Sequence, residues 1–258
     1  MLKFAANLTT LFNEYAFEDR FEQAAKEGFS AVEYLFPYNY DADMLADKLA
    51  QYNLKQVLFN MYPGDWEKGE RGCAAIPGRE DEFKETVDLA LLYAQKLNCK
   101  CVHAMSGNID MNFTREEHIQ TFLHNIRYAA DRFAELGITL VIEPLNPKDM
   151  PGYFIASQRE AGELIKLVDR DNVKIQFDFY HAQIVDGDIC HLIEDLFDQI
   201  GHIQIASNPD RHEPDSGELN YPFIFAKLNK LGYQGWIGCE YFPEHDTHSG
   251  LTWVRPYL

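Results

Sequence analysis

Three acidic side chains stand where apolar runs stop. Glu143 closes ITLVIE, Asp178 closes VKIQFD and Glu240 closes WIGCE, while Gln204 lies inside a fourth run, HIQIA. Carboxylates gathered at one point repel each other and resist ionising unless a cation neutralises them. Three carboxylates and an amide oxygen form a hard, oxygen-only donor set, which suits Mg2+ or Mn2+ better than Zn2+. A divalent ion that chelates a carbonyl and the neighbouring hydroxyl acidifies the C–H between them and stabilises the enediolate. Two carboxylates on opposite flanks then take the proton from one carbon and return it to the next. Glu143 and Glu240 are the natural pair, because their runs bracket the other two. The chemistry is an aldose–ketose type isomerisation, and it needs no organic cofactor. P-loop, H-E-x-x-H and G-x-S-x-G fingerprints are absent from the sequence.

Such convergence requires a scaffold with many parallel strands. Eight strand-like runs begin near Lys3, Ala31, Leu54, Lys100, Ile138, Val173, His202 and Trp236. Amphipathic stretches separate them: Phe17–Glu27 and Glu82–Leu97 each carry an apolar stripe at helical spacing. Thr114 with Glu117 has capping-box spacing, and that helix is expected to stop at Gly137. Strand and helix alternating eight times in 258 residues predict an α/β fold, a (β/α)₈ TIM barrel forming a single domain over 1–258. An open doubly wound sheet is the competitor, but no G-x-G-x-x-G follows the first strand. Three connections, 61–80, 144–157 and 207–219, are long and fall on the strand C-terminal side, where barrels keep their active sites.

Further candidates lie in or near those connections. Arg211 is placed to clamp a substrate carboxylate through two parallel contacts, against the alternative of a loop arginine paired with Glu213 or Asp215. Arg71 and Trp66, with Arg79 and Asp65, form a possible lid of cation and aromatic wall over an acidic sugar. His181, three residues past Asp178, is within reach of a substrate hydroxyl. Glu33 and His103 read as interior polar groups or pocket lining, Asn7 and Asn60 as weaker candidates, and Cys239 as core packing facing away from Glu240.

Composition narrows the partners. With 41 acidic and 23 basic residues the net charge is −18, which opposes a nucleic-acid or anionic-membrane surface. Five cysteines without a C-x-x-C pair read as free thiols in a reducing compartment. The N-terminus lacks an apolar signal region and no run approaches the ~20 residues of a membrane span, so a cytoplasmic location is expected. Homo-oligomerisation stays open.

The chain resembles the hydroxypyruvate isomerase family of xylose-isomerase-like barrels, and within it the branch acting on 2-oxo-tetronate. The stretches carrying the likeness include FAANLTTLF (4–12), VEYLFPYNY (32–40), PGDWEKGERG (63–72), IEPLN (142–146), IQFDFYHAQ (175–183), GHIQIASNPDRHEPDSGELNY (201–221) and GYQGWIGCEYFP (232–243). The resemblance implies a divalent metal held by Glu143, Asp178, Gln204 and Glu240, with Glu143 and Glu240 exchanging the proton. It also favours a substrate contact for His181, through the D-x-x-H spacing of related epimerases. The implied substrate is a small 2-oxo sugar acid, 2-oxo-tetronate or alternatively hydroxypyruvate. A ketose 3-epimerase or dehydratase would use the same groups. A DNA-repair endonuclease would want a zinc cluster and a basic face, and a non-catalytic sugar-acid binder is the remaining class.

Overall fold

The computed structural model describes residues 2–258. Eight parallel strands pair in chain order and close on themselves, β8 returning to β1. They are β1 (Lys3–Asn7), β2 (Ala31–Glu33), β3 (Lys55–Asn60), β4 (Cys101–His103), β5 (Thr139–Ile142), β6 (Val173–Asp178), β7 (Ile200–Ile205) and β8 (Trp236–Cys239). Helices α1 (Phe17–Lys26), α2 (Ala42–Gln51), α3 (Glu80–Lys96), α4 (Arg115–Ala134), α5 (Gln158–Val168), α6 (Phe179–Val185), α7 (Ile189–Leu196) and α8 (Tyr221–Leu231) surround the barrel. A short α9 (Thr247–Gly250) follows β8. The (β/α)₈ expectation holds, and the open sheet is excluded by the β1–β8 pairing. Among the described residues no helix is long and apolar enough to cross a membrane.

Local chemistry explains the element ends. The Thr114 hydroxyl accepts the Glu117 N–H at 3.3 Å while the Glu117 carboxylate accepts the Thr114 N–H at 2.7 Å, so the anticipated capping box starts α4. The helix ends at Ala134, and Gly137 turns the chain with φ 61°. One face of each strand packs outward on the helices, where Val102, Leu140, Ile142, Phe177, Ile203 and Cys239 are fully or almost fully buried. Alternation sends the intervening residues into the barrel. Cys239 therefore joins the core while its neighbour Glu240 faces the mouth, as the sequence indicated. All five cysteines are free thiols.

The long connection after β3 is anchored rather than loose. Gly72 sits at φ 89° and bridges to Ser106, and a Cβ there would meet the Met105 carbonyl oxygen at 2.3 Å. Only glycine permits that approach, which ties this connection to the one after β4.

Candidate active site

At the C-terminal mouth the strand ends deliver the acids. Asp178 is the last residue of β6, and Glu143 and Glu240 follow β5 and β8 directly. All three are buried, at 0, 5 and 6% exposure. Asp178 also caps α6: its Oδ1 accepts the Tyr180 N–H at 2.8 Å, which pins the carboxylate and leaves Oδ2 buried without a hydrogen bond. Burial is the first cause that raises each of the three carboxyls above its ordinary range. Glu143 is pushed up further by the charges of Glu240 and Asp178, and Glu240 by Asp178.

Arg211 offsets part of this crowding. One guanidinium nitrogen, Nη2, lies 3.5 Å from both Asp178 Oδ2 and Glu240 Oε2. The guanidinium is stacked 4.8 Å from the Tyr180 ring centroid, and the residue holds a left-handed backbone at φ 58°. Arg211 thus reaches Asp178 and Glu240, not the Glu213 or Asp215 side chains weighed as the alternative to its clamping role.

Two histidines complete the cluster. His181 Nδ1 accepts N–H groups from the backbone and the side chain of Asn146, at 3.1 and 2.7 Å. Asn146 is fixed in turn because its Oδ1 accepts the backbone N–H groups of Lys148 and Asp149. The His181 proton therefore sits on Nε2, 3.8 Å from Glu143 Oε1 and 3.7 Å from Asp178 Oδ2. Burial first, and the Arg211 charge second, hold this imidazole neutral. Glu143, Asp178 and His181 place one potential ligand atom each within 4.8 Å of one another, but the proton on Nε2 makes His181 a hydrogen-bond donor there. His103 is the less expected participant. Its Nε2 accepts the Glu143 backbone N–H at 3.3 Å, which turns Nδ1–H toward Glu143 Oε2 at 3.7 Å, and burial lowers its pKa to about 3.

Gln204 belongs to a network just inside the mouth. Its amide nitrogen donates to Glu33 Oε1 at 2.8 Å, and its oxygen accepts from Gln176 at 2.5 Å. Glu33 also receives Asn7 Nδ2 at 3.0 Å on Oε1 and His202 Nε2 at 2.7 Å on Oε2. Gln204 and Glu240 line one small cavity with Glu33, Asn7 and Asn60. The sequence offered no sign that Glu33 reaches across the barrel. Its one signal was a carboxylate in an otherwise apolar strand.

The structure does not bring Arg71 and Trp66 to the acids. The Arg71 guanidinium stacks 3.6 Å from the Trp66 ring centroid and donates to the carbonyls of Trp66 and Glu70. Arg71 lines a separate depression of about 300 Å3 with Lys68, Arg79 and Asn108, and Arg79 is paired with Glu70 and Glu82. Trp66 tilts against Phe36 at 5.2 Å.

A divalent cation fits this mouth. The Asp178 oxygen that makes no hydrogen bond and the repulsion among three buried acids, which Arg211 offsets only in part, are the deficits that such an ion removes.

A closed barrel with its charged groups at the C-terminal mouth is an enzyme architecture, and similarity defines the class. Residues 21–257 match the model of the xylose isomerase-like TIM barrel family, and the chain belongs to that family. It is 54% identical to the 2-oxo-tetronate isomerase of Pectobacterium atrosepticum, covering 100% of this chain and 98% of the relative. It is 45% identical to the hydroxypyruvate isomerase of Escherichia coli K12, covering 100% of both. Among solved structures, an AP endonuclease, family 2, from Brucella melitensis superposes with TM-score 0.98 at 57% identity, covering 100% of this chain and 99% of that one. Relatives of this closeness make the protein an isomerase.

Proposed function

We propose that the protein interconverts 2-oxo-tetronate and 3-oxo-tetronate at a divalent-metal site, Mg2+ or Mn2+, held by Glu143, Asp178, Glu240 and Gln204. The observation that carries this reading is the buried Asp178 Oδ2, without a hydrogen bond and flanked by two further buried carboxylates at the barrel mouth, with Arg211, among the described residues, the one cation beside them. The ion, when bound, supplies Lewis-acid polarisation of the substrate carbonyl. The chain does the rest. One of Glu143 and Glu240 removes the proton from C3, and the other delivers one to C2, while the hydroxyl proton passes from O3 to O2. His103 steadies Glu143, and the His181 Nε2–H donates to a substrate oxygen. Arg211, already beside two carboxylates, pairs with the substrate carboxylate once the cation takes over neutralising the acids.

The identity to the Pectobacterium isomerase supports the four-carbon substrate, and the Escherichia coli relative supports hydroxypyruvate as the second reading. The name of the Brucella structure suggests a nucleic-acid substrate, against which stands the net charge of −18. Free thiols fit a cytoplasmic setting. NMR of the purified protein with Mg2+ or Mn2+ against 2-oxo-tetronate, hydroxypyruvate and several ketoses tests the assignment. Conversion of 2-oxo-tetronate ahead of the others is expected, and turnover of ketoses alone would overturn it.

A further inference from the structure

We propose that Tyr180 is a positioning residue for Arg211, its ring holding the guanidinium where the substrate carboxylate docks. On the sugar-acid reading above, from which this follows, Tyr180 thereby sets the preference for an acid group.

Arg211 stands in the connection after β7, and its main chain is tied on both sides. Its N–H donates to the Ser207 carbonyl at 3.0 Å, and its own carbonyl accepts the Phe242 N–H at 2.9 Å. The side chain is held less firmly. Its Nη2 lies 3.5 Å from Asp178 Oδ2 and Glu240 Oε2, well beyond the ~2.7–2.9 Å of a tight charge-assisted hydrogen bond. The Tyr180 ring, its centroid 4.8 Å from the guanidinium carbon, is therefore the surface that sets where the cation rests.

Tyr180 is itself immobilised. It lies in the first turn of α6 and is 4% exposed. Its N–H donates to Asp178 Oδ1 at 2.8 Å, and its carbonyl accepts Asn208 Nδ2 at 3.2 Å. Its hydroxyl donates to Asp149 Oδ2 at 2.8 Å. Those partners belong to β6, to the connection after β7 and to the connection after β5. Asp149 Oδ2 also accepts Asn146 Nδ2 at 3.0 Å, and the same amide nitrogen fixes His181. One side chain is thus keyed to the Asp178 carboxylate, the His181 donor and the Arg211 connection.

An aromatic ring suits this task. A carboxylate in its place would neutralise Arg211 and compete with the substrate for its N–H donors. The ring face attracts the cation through its quadrupole and leaves those donors free. Ordering a long, flexible side chain before binding also removes an entropic cost that the substrate would otherwise meet. Both effects favour carboxylate binding and leave the proton-transfer groups alone, so they belong to KM more than to kcat.

The test compares Tyr180→Phe, which keeps the ring, with Tyr180→Leu, which removes it, and with Arg211→Met. Tyr180→Met replaces the leucine variant if that one fails to fold. With Mg2+ and 2-oxo-tetronate, Tyr180→Leu is expected to raise KM about tenfold while kcat falls by less than about threefold. Tyr180→Phe should keep KM within about threefold of the parent. In an Arg211→Met background the leucine substitution should add nothing, because the guanidinium it acts through is gone. KM untouched by loss of the ring overturns the proposal. So do KM effects that multiply in the double variant, or a phenylalanine variant as impaired as the leucine one.

Binding is read separately by NMR of the Arg211 Nε–H, which is buried from solvent, during titration with erythronate, a four-carbon sugar acid without the oxo group. The resonance should shift in the parent and in Tyr180→Phe, and stay put in Tyr180→Leu at the same concentration. A shift without any isomerisation would sink the isomerase reading and uphold the positioning role. No shift in the parent would overturn the positioning role itself.

Discussion

Gly238 and Glu33 divide one volume inside the barrel: a Cβ on Gly238 would lie 2.2 Å from Glu33 Oε1. Glycine on β8 is what lets the β2 carboxylate cross to Gln204 and His202. Gly238→Ala is therefore expected to cost about 1–3 kcal/mol, the usual range for overpacking. Turnover should fall with it, because Gln204 loses its fixed partner. Chemical denaturation and an isomerase assay check both; parent-like values in both would contradict the packing.

Glu143→Gln and Glu240→Gln are each expected to lower turnover by about 10²–10⁴-fold, the contribution of a positioned acid–base group. Neither should lower metal-free stability near pH 8. Burial already disfavours the ionised forms, so an uncharged isostere is tolerated. Tm beside kcat separates lost chemistry from lost fold.

The acids give the metal-free protein a definite pH response. Burial raises the Glu240 carboxyl from 4.5 to about 8. Between those values the folded state binds more protons than the unfolded chain, so stability falls as pH rises. His103, lowered from 6.5 to about 3, acts in the opposite sense, but only below pH 6.5. From pH 6.5 to 8 the carboxyl effect therefore stands clear and amounts to about 1–2 kcal/mol. A divalent cation cancels it. The Tm gain from Mg2+ or Mn2+ over chelated protein should be larger at pH 8 than at pH 6.5, and the reverse order would contradict the crowding of these carboxylates.

Arg211→Met removes the guanidinium that lies 3.5 Å from both Asp178 and Glu240. Losing one partner of a buried ion pair costs roughly 3 kcal/mol. The loss should appear in chelator and shrink when Mg2+ or Mn2+ is added, since the ion supplies the missing positive charge. KM for a sugar acid should rise as well. Equal destabilisation with and without the ion would show that Arg211 acts through packing alone.

Much of the barrel was legible because its signals are local. Apolar runs of strand length, Thr114 with Glu117, and acids closing otherwise apolar strands each carry a physical meaning in the sequence itself. Strand ends were less sharp: Glu143 and Glu240 lie one residue beyond β5 and β8. What could not be read depends on reach across the barrel. Glu33 was one carboxylate in a short strand, and nothing nearby in sequence marks His202, Asn7 and Gln204 as its partners. Arg71 and Trp66 were grouped with the site by their place in the long connection after β3, and the backbone carbonyls and mutual stacking that engage them there have no signature in the sequence. The His181 proton depends on Asn146, 35 residues away.

The most direct test of the central claim is proton NMR of 2-oxo-tetronate turnover in D2O with Mg2+ or Mn2+, comparing the parent with Glu143→Gln and Glu240→Gln. Transfer through exchangeable carboxyl groups predicts 3-oxo-tetronate carrying solvent deuterium at C2 from the parent and no appreciable product from either variant. Product formed at parental rate by either variant would contradict the two-carboxylate transfer.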